Sequence, residues 1–478
     1  MKTPTFARFS PYRLSESTIE GEGKKHKRMN ITKSLTLALL ISAPLTAWGQ
    51  NGVNSPYSRY GFGLLSERSM GFNKAMGGVA LGFRDGQEIN IANPASYSAV
   101  DSLTSLFDLG FTVQNGNLQM GKLTQNARNS SFDYFAYSFR ATEGLGITVA
   151  LLPFSKINYS FSSDPQTVEN NNSITNSYTY TGNGGLRQVM LGAGWKPFTP
   201  LSIGINIGYM WGDYEHNMTN TTSSSNAYSM KRAYTSSLST YTLEAGIQYM
   251  ANLSEKDKLT VGATYSLGHN MSGDAVRKTS TISSSTETSM DIALKNAFQL
   301  PHSFALGVTY YKESKIRAGI DAGLERWSKV KFPTAENYEE FDRTSTWTPN
   351  KNILNDRFKV SAGIEYTPDF LSSSFFKRLK YKFGGYYSTS YANANESANI
   401  SLKKPYEFGI TGGVTIPIRN RNLFYGSPKL NIALSWIHTN IPYSSNMTSS
   451  TETLKENYLR LSVGLTISER WFHKWKVQ

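Results

Sequence analysis

Histidine is the side chain best able to pass protons or hold a metal near neutral pH, and the chain carries six of them: His26, His216, His269, His302, His438 and His473. They lie far apart, and none stands at metal-ligand spacing from another. His216 and His269 fall at or near polar stretches expected to be loops, which reads as solvated surface histidine. No Gly-x-Ser-x-Gly elbow, phosphate-binding loop or zincin motif occurs. The chain has no cysteine, which removes disulfides, iron–sulfur clusters and cysteine-based zinc sites. The expectation is a protein that is not an enzyme and needs neither cofactor nor metal. What remains is charge set into apolar segments at even spacing: Arg317, Asp321 and Glu325 in one, Arg357, Lys359 and Glu365 in another. Residues two or four apart on a strand share a face, so these six read as charge pairs lining a wet, plugged interior.

The elements that would carry them alternate with a period of two. Leu201, Ile203, Ile205, Ile207 and Tyr209 form one face, with Ser202, Gly204, Asn206 and Gly208 opposite. The pattern recurs from Leu259, Ile316, Phe358, Leu430 and Leu459, as half-buried strands require. Segments run about 10–13 residues, enough for a tilted strand to cross a bilayer. Aromatics gather near segment ends (Tyr209, Trp211, Tyr310, Tyr311, Trp327, Tyr366, Tyr386, Tyr387), as interfacial girdles would. Alternation places strands at 102–114, 131–141, 145–161, 176–196, 201–214, 232–251, 258–272, 303–311, 316–328, 355–367, 379–391, 404–417, 429–439 and 457–468. That is about fourteen, an even number, joined alternately by short turns and by long loops such as 162–175, 215–231, 273–290, 329–354 and 440–456. The fold class expected is all-β, an antiparallel transmembrane β-barrel of about fourteen strands. The last strand is followed by Glu469-Arg470-Trp471-Phe472, an aromatic end of the kind barrel-assembly machinery reads.

The chain has 478 residues, rich in glycine (39), tyrosine (28) and phenylalanine (25) but only 39% hydrophobic. No apolar run of about 20 residues exists, so a helical membrane protein is excluded. The N-terminus reads as a secretory leader. Met29 to Lys33 gives a basic start, Leu35 to Leu45 an apolar stretch, and Ala47-Trp48-Gly49 a cut near Gln50. The true start then falls at Met29, within a leader spanning 1–49. Part of the formal net charge of +14 lies there, with eight Lys/Arg against three Asp/Glu before residue 50. Elsewhere the basic residues are scattered among strands and loops, so no nucleic acid partner is expected.

Before the first strand the sequence stops alternating. It reads Ser55-Pro56-Tyr57-Ser58-Arg59-Tyr60-Gly61-Phe62-Gly63, then Met76-Gly77-Gly78-Val79-Ala80-Leu81-Gly82, then Ile89-Asn90-Ile91-Ala92-Asn93-Pro94-Ala95. Asn93-Pro94-Ala95 could open an ordinary turn. In this context, a glycine-rich stretch ending in Asn-Pro-Ala resembles the FadL/TodX family of outer-membrane barrels. The opening Ser-Pro-Tyr-Ser-Arg-Tyr-Gly and the closing Glu-Arg-Trp-Phe look like FadL-like barrels of the Bacteroidota. The resemblance implies a small N-terminal hatch over 50–101, marked by Asn90, Asn93, Pro94 and Ala95, inside a barrel over 102–478. It also implies transport of hydrophobic compounds such as long-chain fatty acids, and a lateral exit at a kink in the third strand. Pro153, followed by Phe154, interrupts that strand, where proline cannot donate to the ladder; it reads equally as such a gate or as a bulge or strand end. Partners implied are outer-membrane lipid or lipopolysaccharide and a hydrophobic small molecule. The alternative is a non-transporting barrel subunit of an outer-membrane machine, either type IX secretion or a barrel assembly complex, with protein partners. The inward faces legible in the sequence are glycine, serine, threonine and charge, which tilts toward that alternative or toward a polar, plugged pore.

Overall fold

The computed structural model describes residues 53–163, 166–169, 172–223, 228–282, 287–313, 315–335, 347–393, 404–418, 428–445 and 448–470. The expected leader, its cut near Gln50 and the closing Trp471-Phe472 lie outside the described residues.

Fourteen antiparallel strands close on themselves. In chain order they are β1 (Thr104–Met120), β2 (Leu123–Thr142), β3 (Leu145–Pro153, resuming as Ser155–Ser163), β4 (Asn172–Phe198), β5 (Leu201–Thr222), β6 (Ser229–Asn252) and β7 (Asp257–Ser266). There follow β8 (Ser303–Lys312), β9 (Ile316–Glu325), β10 (Arg357–Tyr366), β11 (Lys380–Thr389), β12 (Tyr406–Pro417), β13 (Lys429–Ser445) and β14 (Thr448–Arg470). Each pairs with its neighbours, and β14 pairs with β1 from Thr104↔Arg470 to Met120↔Leu454, which removes the open edge. Alternation sorts the faces as the residue types require. Ile205, Ile207, Ile320, Phe358 and Leu434 are exposed on the outside, while Asn206, Glu244, Thr309, Asp321 and Glu365 are buried inside.

Two differences from the sequence reading have physical causes. While β7 and β9 to β12 stop short of their expected bounds, several strands run further than alternation indicates: β1 and β2 are joined by a tight turn at Gly121, β13 and β14 are 17 and 23 residues long, and Ala275–Ile282 and Glu287–Leu294 form a hairpin inside the stretch expected as loop. Beyond the bilayer both faces of a strand meet water or other polar chain, so the apolar side of the pattern disappears while the hydrogen-bond ladder continues. Of the aromatics expected as interfacial girdle, Tyr209, Tyr366 and Tyr387 are exposed on the wall, but Trp327 and Tyr386 are buried inside. Tyr386 shares the inward register of Ser388, and Trp327 sits in a short turn after β9, with its ring 4.7 Å from that of Tyr391.

Residues 53–100 lie largely in the barrel interior. Two apolar clusters form around them. At the end bearing the long hairpins, Phe62 packs with Phe298, Trp327 and Phe332 at ring distances of 5.4–5.9 Å. Toward the short-turn end, Met70, Phe72, Met76, Phe83, Ile89 and Ile91 pack against Leu106, Ala136, Leu152 and Met190 of the wall. By the rule that barrels keep short turns on the periplasmic side, the first cluster seals the outer end.

Candidate functional site in the barrel lumen

Inward glycines on strand after strand make room for the inner segment. A Cβ at Gly146 of β3 would overlap the Tyr97 carbonyl, at Gly204 of β5 Pro94, at Gly262 of β7 the Leu81 carbonyl, and at Gly384 of β11 Met76. At Gly464 of β14 it would stand 2.8 Å from the Cα of Gly71. The segment from Tyr97 back to Gly71 therefore runs round the inner wall, touching strands in their order about the barrel.

Polar contacts fix that course. Asn93 accepts from the Ala95 amide (3.1 Å) through Oδ1 and donates to the Leu81 carbonyl (2.9 Å) and to the Ile247 carbonyl (3.2 Å) of β6. Asn90 donates to the carbonyls of Ala80 (2.7 Å) and Phe83 (3.0 Å). Pro94 opens a short 3-10 turn in which Ala95 is fully buried. Asp321 Oδ2 accepts from the amides of Ala80 and Leu81 at 2.6 and 2.9 Å, and the Lys382 ammonium donates to the Phe72 carbonyl at 2.6 Å.

The six inward charges noted in the sequence all face this segment or its surroundings. Arg317 pairs with Asp85 (2.7 Å) and Glu365 (3.5 Å), Arg357 with Glu325 (2.9 Å), and the Lys359 ammonium lies 4.5 Å from the ring centre of Tyr386. The structure adds partners that alternation did not single out. Glu88 meets Lys429 (3.2 Å), Lys380 (3.4 Å) and, more distantly, Arg317 (4.0 Å). Glu365 meets Lys382 (3.3 Å) and Lys380 (3.6 Å). Further up, Arg68 pairs with Glu244 and Lys74 with Asp133. The available signal was lysine at two-residue spacing, Lys380 and Lys382, opening a strand; nothing local tied Glu88 to it.

Burial alone would push the inner segment's carboxyls up. For Glu88 the cations Lys380, Lys429, Lys382 and Arg317 outweigh it and hold the group well below the usual carboxylate range. Asp85 is lowered against the same burial penalty, chiefly by Arg317. Glu67 is held at about 2, its burial overcome by Lys359, Arg460 and Lys74.

β3 breaks at Phe154, one residue after Pro153. Phe154 donates to the Leu186 carbonyl (2.7 Å) and accepts from the Ser66 amide (2.8 Å). Opposite the break, Gly184 and Gly185 of β4 take φ of +127° and +133°, a conformation open to glycine alone. Above Phe135, β2 pairs with β1 alone among the described residues, which opens the wall beside the upper half of β3. The inner segment closes that opening. Leu64–Leu65 pairs with Lys156 and Ser155, the Ser55 amide donates to the Asn158 carbonyl (3.2 Å), and Asn158 Nδ2 donates to the Val53 carbonyl (2.7 Å).

Two cavities among the described residues are bordered by Pro153. One, of about 170 Å³, is lined by Glu67, Lys74, Asp133, Lys156, Glu456 and Arg460 among others. The other, of about 290 Å³, is lined by Arg68, Glu244, Asp321 and Lys359 and by apolar Phe154, Met190, Met210 and Leu300 among others.

The histidines expected to be solvated are half-buried and partnered. His216 bonds the Tyr159 hydroxyl at 2.9 Å and stacks on its ring, and His269 bonds Thr240 (2.7 Å) and stacks 4.0 Å from Tyr241. Both lie on or beside strands that outrun their alternation. Among the described residues no group of three or more histidines and carboxylates is placed to hold a metal.

The closed fourteen-stranded antiparallel barrel is a fold shared with solved hydrocarbon channels and toluene transporters. The chain is similar in structure to the toluene transporter TbuX of Ralstonia pickettii (TM-score 0.55, 12% identity, covering 85% of this chain and 99% of that one). It is similar also to a FadL homologue of Pseudomonas aeruginosa (0.56, 9%, 86% and 100%) and to the toluene transporter TodX of P. putida (0.54, 15%, 86% and 100%). At such identities the likeness is one of fold. The chain belongs to the BamG family, whose model matches residues 31–478. No curated protein matches it in sequence.

Proposed function

We propose that this protein is a non-transporting barrel subunit of an outer-membrane protein complex, its lumen permanently plugged by the inner segment, described over residues 53–100. The observation that carries this is the seating of Gly71 to Tyr97 round the inner wall, in contact with glycines on most strands and clamped at Asp85 and Glu88 by buried ion pairs. Opening a path would strip several buried charges of their partners, each costing about 3–5 kcal/mol. The charge on both cavities supports the same reading, since an apolar ligand beside it would displace polar contacts without replacing them. On this reading Asn90, Asn93, Pro94 and Ala95 hold the plug's shape, and Arg317, Asp321, Glu325, Arg357, Lys359 and Glu365 are its anchors. The long hairpins and periplasmic face are the docking surfaces. Of the two machines the sequence suggested, membership of the BamG family favours barrel assembly over secretion.

A second reading is a conduit for a hydrophobic small molecule, leaving sideways at Pro153 and Phe154. The apolar lining of the larger cavity, next to the strand break, favours it. Purification in mild detergent separates the two. Stoichiometric protein partners support the subunit; the protein alone with bound fatty acid or hydrocarbon overturns it. Pro153→Ala is expected to leave uptake of such a compound by whole cells unchanged, and reduced uptake with normal insertion would favour the conduit.

A further inference from the structure

Among the described residues, one periplasmic turn is unlike the others. Between β10 and β11, Phe370, Leu371, Phe375 and Phe376 are all exposed, Leu371 to 89% and Phe376 to 70%. The turn is nonetheless built. The Asp369 amide donates to the Lys377 carbonyl at 2.8 Å, Asp369 Oδ1 accepts from the Leu371 amide at 3.0 Å, and Phe375–Arg378 forms one helical turn. Leu379 and Thr367 are buried at its base. Four large apolar side chains on an ordered thirteen-residue connection form a patch that water alone does not explain.

Its position says what covers it. The Tyr381 hydroxyl, on the outward face of β11, donates to the Phe376 carbonyl at 3.1 Å, which ties the turn to the outer wall rather than beneath the lumen. Next to it Tyr366, Ile364, Tyr381 and Phe383 are exposed on the lipid-facing surface. The patch therefore continues the lipid-facing wall past the end of the strands, to the depth where aromatic side chains sit at a bilayer interface. Lys377 and Arg378 follow the two phenylalanines, placing cations where the phosphates of that leaflet lie. Among the described residues, other short turns expose single apolar residues, Phe198, Leu253 and Ile418.

We propose that the Thr367–Leu379 turn is an in-plane anchor that inserts Phe370, Leu371, Phe375 and Phe376 into the periplasm-facing leaflet and binds anionic phospholipid headgroups through Lys377 and Arg378. This goes beyond the subunit reading and does not depend on it.

The chain has no cysteine, so single cysteines can be labelled in otherwise unchanged protein. Leu371→Cys, Phe376→Cys and, as a water-facing reference in the β6–β7 turn, Glu255→Cys would each carry an environment-sensitive fluorophore. Folding is checked by heat-modifiable migration. In phosphatidylethanolamine–phosphatidylglycerol vesicles with doxyl-labelled chains, fluorescence at 371 and 376 should fall about twofold while that at 255 does not. Lys377→Glu with Arg378→Glu should weaken quenching at 371 in these vesicles and not in phosphatidylcholine. Quenching at 371 and 376 no greater than at 255 would overturn the proposal. So would protection that appears only when the protein is recovered with protein partners, which would make the patch a protein-docking surface.

Discussion

At the scale of single residues, the lumen is decided by what glycine leaves out and what Glu88 gathers in. Gly262→Val would drive a side chain into the Leu81 carbonyl, whereas at Gly323 an added Cβ has its nearest neighbour at 3.7 Å. Gly262→Val should therefore lower the heat-modifiable unfolding temperature, at a cost of about 1–3 kcal/mol or more, and Gly323→Ala should not. Glu88→Gln leaves Lys380 and Lys429 facing an uncharged amide and should cost about 3–5 kcal/mol, read by urea titration in detergent. Much of this was legible beforehand. Arg317, Asp321 and Glu325 fell on one face by spacing, and the glycines opposite the apolar rows marked the inner wall. What spacing does not carry is which inner-segment residue meets which strand. Glu88 and Lys380 are 292 residues apart, and only closure of the barrel brings them together.

At the scale of elements, the inner segment behaves as a belt fastened by carboxylates. Asp85, Glu88 and Glu67 all titrate below their free values, because cations of the wall outweigh their burial. A depressed folded-state value means that the stabilisation is fully present above the unfolded value and is lost as pH falls through the folded one. The contribution of these three ion-paired carboxylates should thus be constant from about pH 8 to 5 and fall away from about pH 4 downward. Trypsin cleavage after Lys74 or Arg84, assayed at neutral pH following brief acid exposure, would rise only in that acid range; equal cleavage throughout would show that the ion pairs do not hold the belt. Strand positions were readable from alternation wherever one face met lipid. The upper parts of β1, β2, β13 and β14 were not, because above the bilayer polar residues such as Asn117, Gln119 and Glu456 sit on strands with no apolar face to mark them.

At the scale of the whole molecule, the order of assembly follows from one bond. Ser55 Oγ donates to Glu456 Oε1 at 2.6 Å, joining the start of the inner segment to the final strand across 401 positions. The belt inside lies against strands around the whole circumference, and β14 closes on β1 over seventeen residue pairs. A coil of this kind is most simply seated while the ring is still open. The first residues to reach the periplasm must wait, unfolded or loosely held, until the last strand is delivered, and the barrel then zips around them. Deleting residues 53–65 should accordingly slow or abort closure rather than release an open channel, with unfolded chain accumulating in the periplasm in pulse-chase experiments. A prompt, heat-resistant but leaky barrel would show that the ring can shut without its occupant.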